Sequence, residues 1–339
     1  MSSLRCLKTI DVTTLHILLP GDTTDTGSLQ HSPLASARLR LWPAAKAALG
    51  LGYSVTVGEQ SPQEPGVLLV GKIGGNAIES RAPRWLTQIE AFRRSGSRVL
   101  LDYTDHHLAS DSVMRPFYEA ACQTADVICV PTHDLKAVLE TRRDISGAVS
   151  VVADPLEHKM VRPKAGLAHE KARLLWFGHP SNALFLAQFI QNHLDSIAGQ
   201  TLHIVSTSQT IDILKSFKFS NPPQLALLFN HWSTQAVSDG ARQADYCVIP
   251  SDLQSHKRFA SNNRLITALN LGLPTIATAL PSYSQFGTYF SEIGTESALK
   301  TMANPLAFGN QVRAFQDNES HRFSMASVES SWKAMLSTH

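Results

Sequence analysis

The stretch ADYCVIPSDLQSHKRFASNNRLITALNLGLPTIA, residues 244–277, decides the fold. Residues 246–249 (Tyr, Cys, Val, Ile) are four apolar residues in succession, the pattern of a strand buried on both faces. Pro250, Ser251 and Asp252 end that run, and a polar loop follows as far as Asn262. Residues 263–271 carry the apolar spacing of a helix with one face in a core. Gly272, Leu273 and Pro274 stop the helix, and Thr275, Ile276 and Ala277 begin another strand. A strand, a helix and a second strand in this order make one unit of a parallel sheet.

Outward from this unit the same alternation repeats. Strands are predicted at 174–177, 202–205 and 225–229, with helices at 183–197, 210–217 and 233–244 and a last strand at 275–277. Upstream, strands are predicted at 15–20, 53–57, 67–70, 98–102, 127–130 and 149–152. The helices there are expected at 36–49, 84–94, 114–125 and 133–142, and residues 21–32 read as a loop. Between the two series, residues 154–170 are charged, carry Pro and Gly and lack periodicity, as a linker does. The chain therefore reads as α/β, with two doubly wound Rossmann-like domains. Their expected bounds are 1–160 and 161–315, with a C-terminal helix in 316–339 returning to the first domain. At 339 residues there is material for two cores.

Composition narrows the function classes. Thirty Lys and Arg against 28 Asp and Glu leave a net charge of +2, too balanced for a nucleic-acid binder. There is no H-E-x-x-H, no paired C-x-x-C and no D-x-D in an acidic loop, so no metal or cofactor is expected. Cys6, Cys122, Cys129 and Cys247 are scattered in apolar contexts and read as reduced core thiols. No apolar run reaches the roughly 18 residues a membrane span needs. The N-terminus lacks the apolar core of a secretion signal. The expected location is the cytoplasm or the inner face of the membrane, with peripheral contact at most; the oligomeric state is not legible.

In open parallel sheets ligands sit beyond the carboxyl ends of the strands, and with two such domains the natural site is the cleft between them. Four polar clusters follow strands. One is Gly178 to Asn182, in which His179 reads as a phosphate or sugar contact, or as an ordinary loop histidine. A second is Ser251 and Asp252. A third is Lys257, Asn262, Asn263 and Arg264, where two cations and a helix N-terminus suit a diphosphate, unless the segment is only a basic turn with a capping Asn. The fourth is Asp105, His106 and His107. Asp105 suits a general base or a group orienting an acceptor hydroxyl, and equally a helix cap. Arg38 and Arg40 suit the acceptor side of the cleft or the solvated face of a helix.

The run A-D-x-x-V-x-P-S, then K-x-x-x-S-x-N-R, then A-L-x-x-G-L-P-T-I-A resembles the donor-side signature of GT-B nucleotide-sugar glycosyltransferases, closest to the retaining, family-4-like group of polysaccharide biosynthesis. Further segments resemble the group in the right order: Ser36 to Arg40, Leu101 to Asp105, residues 125–135, residues 151–156 and Leu175 to Asn182. The resemblance spans about residues 15–285 and implies a GT-B fold. It implies transfer of a sugar from a nucleotide diphosphate to a glycan or lipid-linked acceptor, and the lack of a D-x-D motif adds the expectation that no metal takes part. One departure stands out. The family carries two Glu on this loop and helix, and registering Gly272-Leu273-Pro274 on its G-x-P places Phe259 and Thr267 at those positions. A nucleotide-sugar epimerase of the same architecture and a catalytically inactive binding protein are the alternative readings.

Overall fold

Every strand pair in this computed structural model is parallel, so every connection is a crossover and the helices cover both sheet faces. The structure describes residues 13–21, 25–60, 64–109, 112–167 and 170–337. Cys6, residues 168–169 of the predicted linker, part of the 21–32 loop and the end of the expected terminal helix lie outside them.

The first sheet holds β1 (Thr14–Leu18), β2 (Ser54–Gly58), β3 (Val67–Val70), β4 (Arg98–Asp102), β5 (Val127–Val130) and β6 (Ala148–Val151). The helices with it are α1 (Thr26–His31), α2 (Trp42–Gly50), α3 (Ile78–Arg94), α4 (Arg115–Thr124) and α5 (His133–Glu140). The second sheet holds β7 (Arg173–Phe177), β8 (Thr201–Ser206), β9 (Ala226–His231), β10 (Tyr246–Ile249), β11 (Thr275–Ala277) and β12 (Ser291–Glu292). With it come α6 (Ala183–Asn192), α7 (Ser208–Ser216), α8 (Thr234–Gln243), α9 (Asn263–Asn270), α10 (Glu296–Ala303), α11 (Gly309–Asn318) and α12 (Met325–Ser337).

The strand orders are β2-β1-β3-β4-β5-β6 and β12-β11-β10-β7-β8-β9. Chain direction therefore switches between β1 and β3 in the first sheet and between β7 and β10 in the second, and ligand crevices open at such points. Each sheet is packed on both faces by its own apolar clusters. The final helix α12 packs on the first sheet's side: Val328, Trp332 and Leu336 join its core, Glu329 pairs with Lys46, and Arg98 Nη1 donates to the Met335 carbonyl at 2.6 Å.

Gly272 is fixed by two separate demands. Its φ is +81°, and a Cβ there would lie 2.5 Å from the Val161 carbonyl oxygen. The linker strand that presses on it donates from Val161 N to Asn270 O at 2.9 Å, so the G-L-P turn is also where the linker docks.

Several elements differ from the sequence reading, among them α10 and α11, which it did not predict. Residues 26–31 form α1, capped by Asp25 accepting from Ser28 N at 2.9 Å, where a loop was expected. The helix expected from 36 opens as a π-turn at Ala37–Leu41 before α2. The helix α3 starts at Ile78 and continues through Pro83, which lacks the N–H that would bond to Glu79 O. β12 adds a strand beyond 275–277.

Candidate functional site

The crevice of the second sheet lies between the loops after β7 and β10. Gly178 lies directly beside Arg264: a Cβ there would stand 3.5 Å from Arg264 Nη1, an ordinary packing distance. That nitrogen is buried and has no partner among the described residues, as are Ser251 Oγ, Asn262 Oδ1, Asn182 Oδ1 and Tyr283 OH. Asn262 stands at the N-cap of α9 without making a side-chain cap bond, so the first-turn N–H groups of α9 point outward beside it. Asn263 opens the helix.

Lys257 sits on a short 3-10 turn whose N-cap is Ser255, and its Nζ reaches Ser181 Oγ at 3.3 Å. Burial lowers its pKa; Arg264 and Lys72 push the same way while Asp105 opposes them. His179 is likewise lowered by burial, then by Lys257 and Lys72, which favours its neutral form; its Nδ1 accepts from Ser181 N at 3.2 Å. Asp252 turns its loop by accepting from Gln254 N at 2.8 Å.

The other wall comes from the first sheet. Asp105 follows β4, and its carboxylate pairs with Lys72, which follows β3 at that sheet's switch point. Both side chains are about one-third exposed, at 32% and 33%. Burial raises the Asp105 pKa, but Lys72, His107 and Lys257 together hold it below the ordinary carboxylate value. His107 Nε2 stands 4.0 Å from that carboxylate, its ring stacked on Tyr118 at 4.8 Å and its Nδ1 3.1 Å from Ser112 Oγ. His106 is turned inward: burial pushes its pKa down to about 4, its Nδ1 lies 3.1 Å from Tyr103 OH, and its ring meets Phe259 edge-on at 4.7 Å.

Lys72, Lys257, His179 and Asp105 thus form one electrostatic cluster spanning both sheets, with Arg264 behind it. Two lysines, one from each sheet, act on one carboxylate. Such a site favours a multiply charged anion bound by charge-assisted hydrogen bonds.

Arg38 and Arg40 do not join this cluster. Arg40 is 1% exposed, with Nε 2.9 Å from Asp102 Oδ1 and Nη1 bonded to Asp154 Oδ1 at 3.2 Å and to the Val152 carbonyl. Arg38 is clamped by Glu157 at 2.7 Å and lies 4.3 Å over the Trp232 ring, tying the helix after β1 to the loop after β9. Phe259 packs against the first sheet's core and Thr267 is buried in α9. Sequence reading missed Lys72 and Tyr283. Lys72 does carry a signal in the sequence, since it lies two residues past a strand end.

No protein-family model and no curated protein sequence matches the chain. Solved structures do. TarM superposes at a TM-score of 0.58 with 9% identity, covering 80% of this chain and 55% of that one. The UDP-forming α,α-trehalose-phosphate synthase of Burkholderia xenovorans, in complex with glucose-6-phosphate, gives 0.57 at 11% identity, covering 87% of this chain and 76% of that one. A glycosyltransferase of Rickettsia africae gives 0.56 at 11% identity over 97% of this chain and all of that one. The fold is GT-B. The chain spans about half the length of TarM. Among the described residues no three His, Cys, Asp or Glu side chains meet in metal-binding geometry, and no helix is long and apolar enough to cross a membrane.

Proposed function

We propose that the chain is a glycosyltransferase that moves a sugar from a nucleotide diphosphate to a glycan or lipid-linked acceptor. The single observation that carries this is Arg264: its guanidinium ends in a buried Nη1 without a partner among the described residues, at the switch point of a GT-B sheet. A phosphate oxygen satisfies that donor. Ser251 Oγ, also buried without a partner, and the N–H groups opening α9 suit the remaining oxygens. In this reading Lys257 and Arg264 hold the diphosphate as charge builds on it during transfer, the work a divalent metal does elsewhere, and transfer needs no metal. Gly178, His179, Asp252, Asn262 and Asn263 surround the donor.

On the acceptor side, Asp105 accepts a hydrogen bond from the attacking hydroxyl and orients it, with His107 steadying the carboxylate and His106 behind them. Arg40, committed to its buried pairs, has no part in this; Arg38 frames the cleft from the first sheet. Retention of configuration is the outcome implied by the family-4-like motifs. Phe259 and Thr267 stand where that group carries Glu, so donor hydroxyls are held here by other residues. The trehalose-phosphate synthase that shares the fold is UDP-forming, in line with a nucleotide donor.

A thermal-shift screen of UDP, GDP, ADP and CMP with their sugars, in chelator, tests the reading. A ligand at 100 times its dissociation constant adds about 2.7 kcal/mol of stability, a readily seen shift. One nucleotide family is expected to stabilise the chain and to be consumed when an acceptor mixture is added. No shift with any of them, or a shift only with magnesium or manganese, contradicts the reading.

A further inference from the structure

Lys72 and Asp105 form an ion pair that donor binding alone does not require. Lys72 lies at the switch point of the first sheet, and Lys257 stands beside the switch point of the second. The Asp105 carboxylate takes the Lys72 ammonium directly and attracts Lys257 from the facing wall. An anion held between cations of both walls occupies, from within the chain, the electrostatic position of a ligand's phosphate.

We propose that Asp105 is an internal counter-ion that a bound diphosphate displaces. On binding, the Lys72 and Lys257 ammonium groups move from the carboxylate to phosphate oxygens. The first sheet thereby contributes a phosphate contact of its own, and the freed carboxylate turns to a hydroxyl on the acceptor side. Three features make the exchange feasible. Both members of the pair are about one-third exposed, so water and a ligand can reach it. Lysine carries its charge on a flexible four-carbon stem. Between the two lysines, a diphosphate carries more negative charge than a single carboxylate and attracts them more strongly. The nearby Arg40 pairs have none of this freedom, being sealed from water. The inference rests on the glycosyltransferase reading for its nucleotide, while the exchange itself concerns any diphosphate.

Inorganic pyrophosphate is therefore the probe, titrated calorimetrically in chelator into the full chain and two variants. Asp105→Asn removes the competing charge and is expected to bind pyrophosphate about tenfold tighter. Lys72→Gln removes a contact and is expected to bind about tenfold weaker, though Lys72 belongs to the sheet opposite the donor loops. A merely structural pair predicts lower melting temperatures and unchanged affinities. Unchanged or weaker binding by Asp105→Asn overturns the proposal. Should that variant fail to fold, unchanged affinity in Lys72→Gln overturns it instead. If pyrophosphate gives the expected pattern while no nucleotide diphosphate binds the unaltered chain, the nucleotide-sugar reading falls and the exchange stands. If nucleotide diphosphate binds but neither substitution shifts its affinity, the exchange alone falls.

Discussion

Asp102 and Asp105 lie three residues apart at the end of one strand, and they have opposite surroundings. Asp102 is fully buried and shares the Arg40 guanidinium with Asp154, two carboxylates to one cation. Asp105 is partly exposed and faces an excess of cations contributed by both sheets. The first cluster is closed: Asp154 also takes a hydrogen bond from Ser261, so the pins run from the first sheet through the linker to the loop before α9. The second is open and short of negative charge. Residue type alone does not separate a structural ion cluster from a binding site. The balance of charge and access of water do.

The contrast breaks most visibly at Arg40. Arg40→Met leaves two buried carboxylates without their counter-ion, and a loss of about 3–5 kcal/mol is expected in urea denaturation. A loss under about 1 kcal/mol means that the cluster does not pin the fold.

The response to pH sharpens it next. Burial, aided by the Asp154 charge and opposed by Arg40, pushes the Asp102 carboxyl up to about 6. An unfolded aspartate titrates near 3.9, so between those values the folded chain holds a proton that the unfolded chain has released. The contribution of Asp102 to stability is therefore fully present below about pH 3.9 and is lost as pH rises through about 6. Asp105, held low, contributes in the opposite sense: its share is present above the unfolded value and is lost as pH falls below it. Comparing Asp102→Asn with the unaltered chain from pH 4 to 7 should reveal a stability difference that changes by about 2–3 kcal/mol across that window. Asp105→Asn should change the curve only at the acid end. Identical profiles for the two variants contradict the assignment of the two environments.

The smallest expected effect is the stability of Asp105→Asn at neutral pH. A partly exposed pair is worth about 0–1 kcal/mol, so its melting temperature should stay close to that of the unaltered chain. A large drop marks Asp105 as part of the scaffold.

Much of the fold was legible because parallel strands buried on both faces are continuous apolar runs, and Tyr246–Ile249, Val67–Val70 and Val127–Val130 stand out as such. Gly272 was legible as a turn, but the docking of Val161 against it, which excludes any Cβ, is tertiary and leaves no local trace. The α1 helix was missed because six residues with a single buried Leu29 carry little periodicity. At the site, Lys257, Asn262 and Arg264 could be singled out because a strand, loop and helix run consecutively through them. That Arg40 faces inward and Lys72 faces Asp105 depends on which strands become neighbours. Lys72 and Asp105 are separated by 33 positions and meet only through the adjacency of β3 and β4.

The central claim is that the open cluster binds a diphosphate, and calorimetry on Arg264→Ala tests it most directly. With chelator present, the nucleotide diphosphate giving the largest thermal shift and its parent nucleoside are titrated into the unaltered and variant chains. A charge-assisted contact to phosphate contributes about 1.5–3 kcal/mol, so the diphosphate should bind roughly ten- to a hundredfold weaker to Arg264→Ala while the nucleoside is unaffected. Equal losses for nucleoside and diphosphate, or no loss for either, would contradict the account.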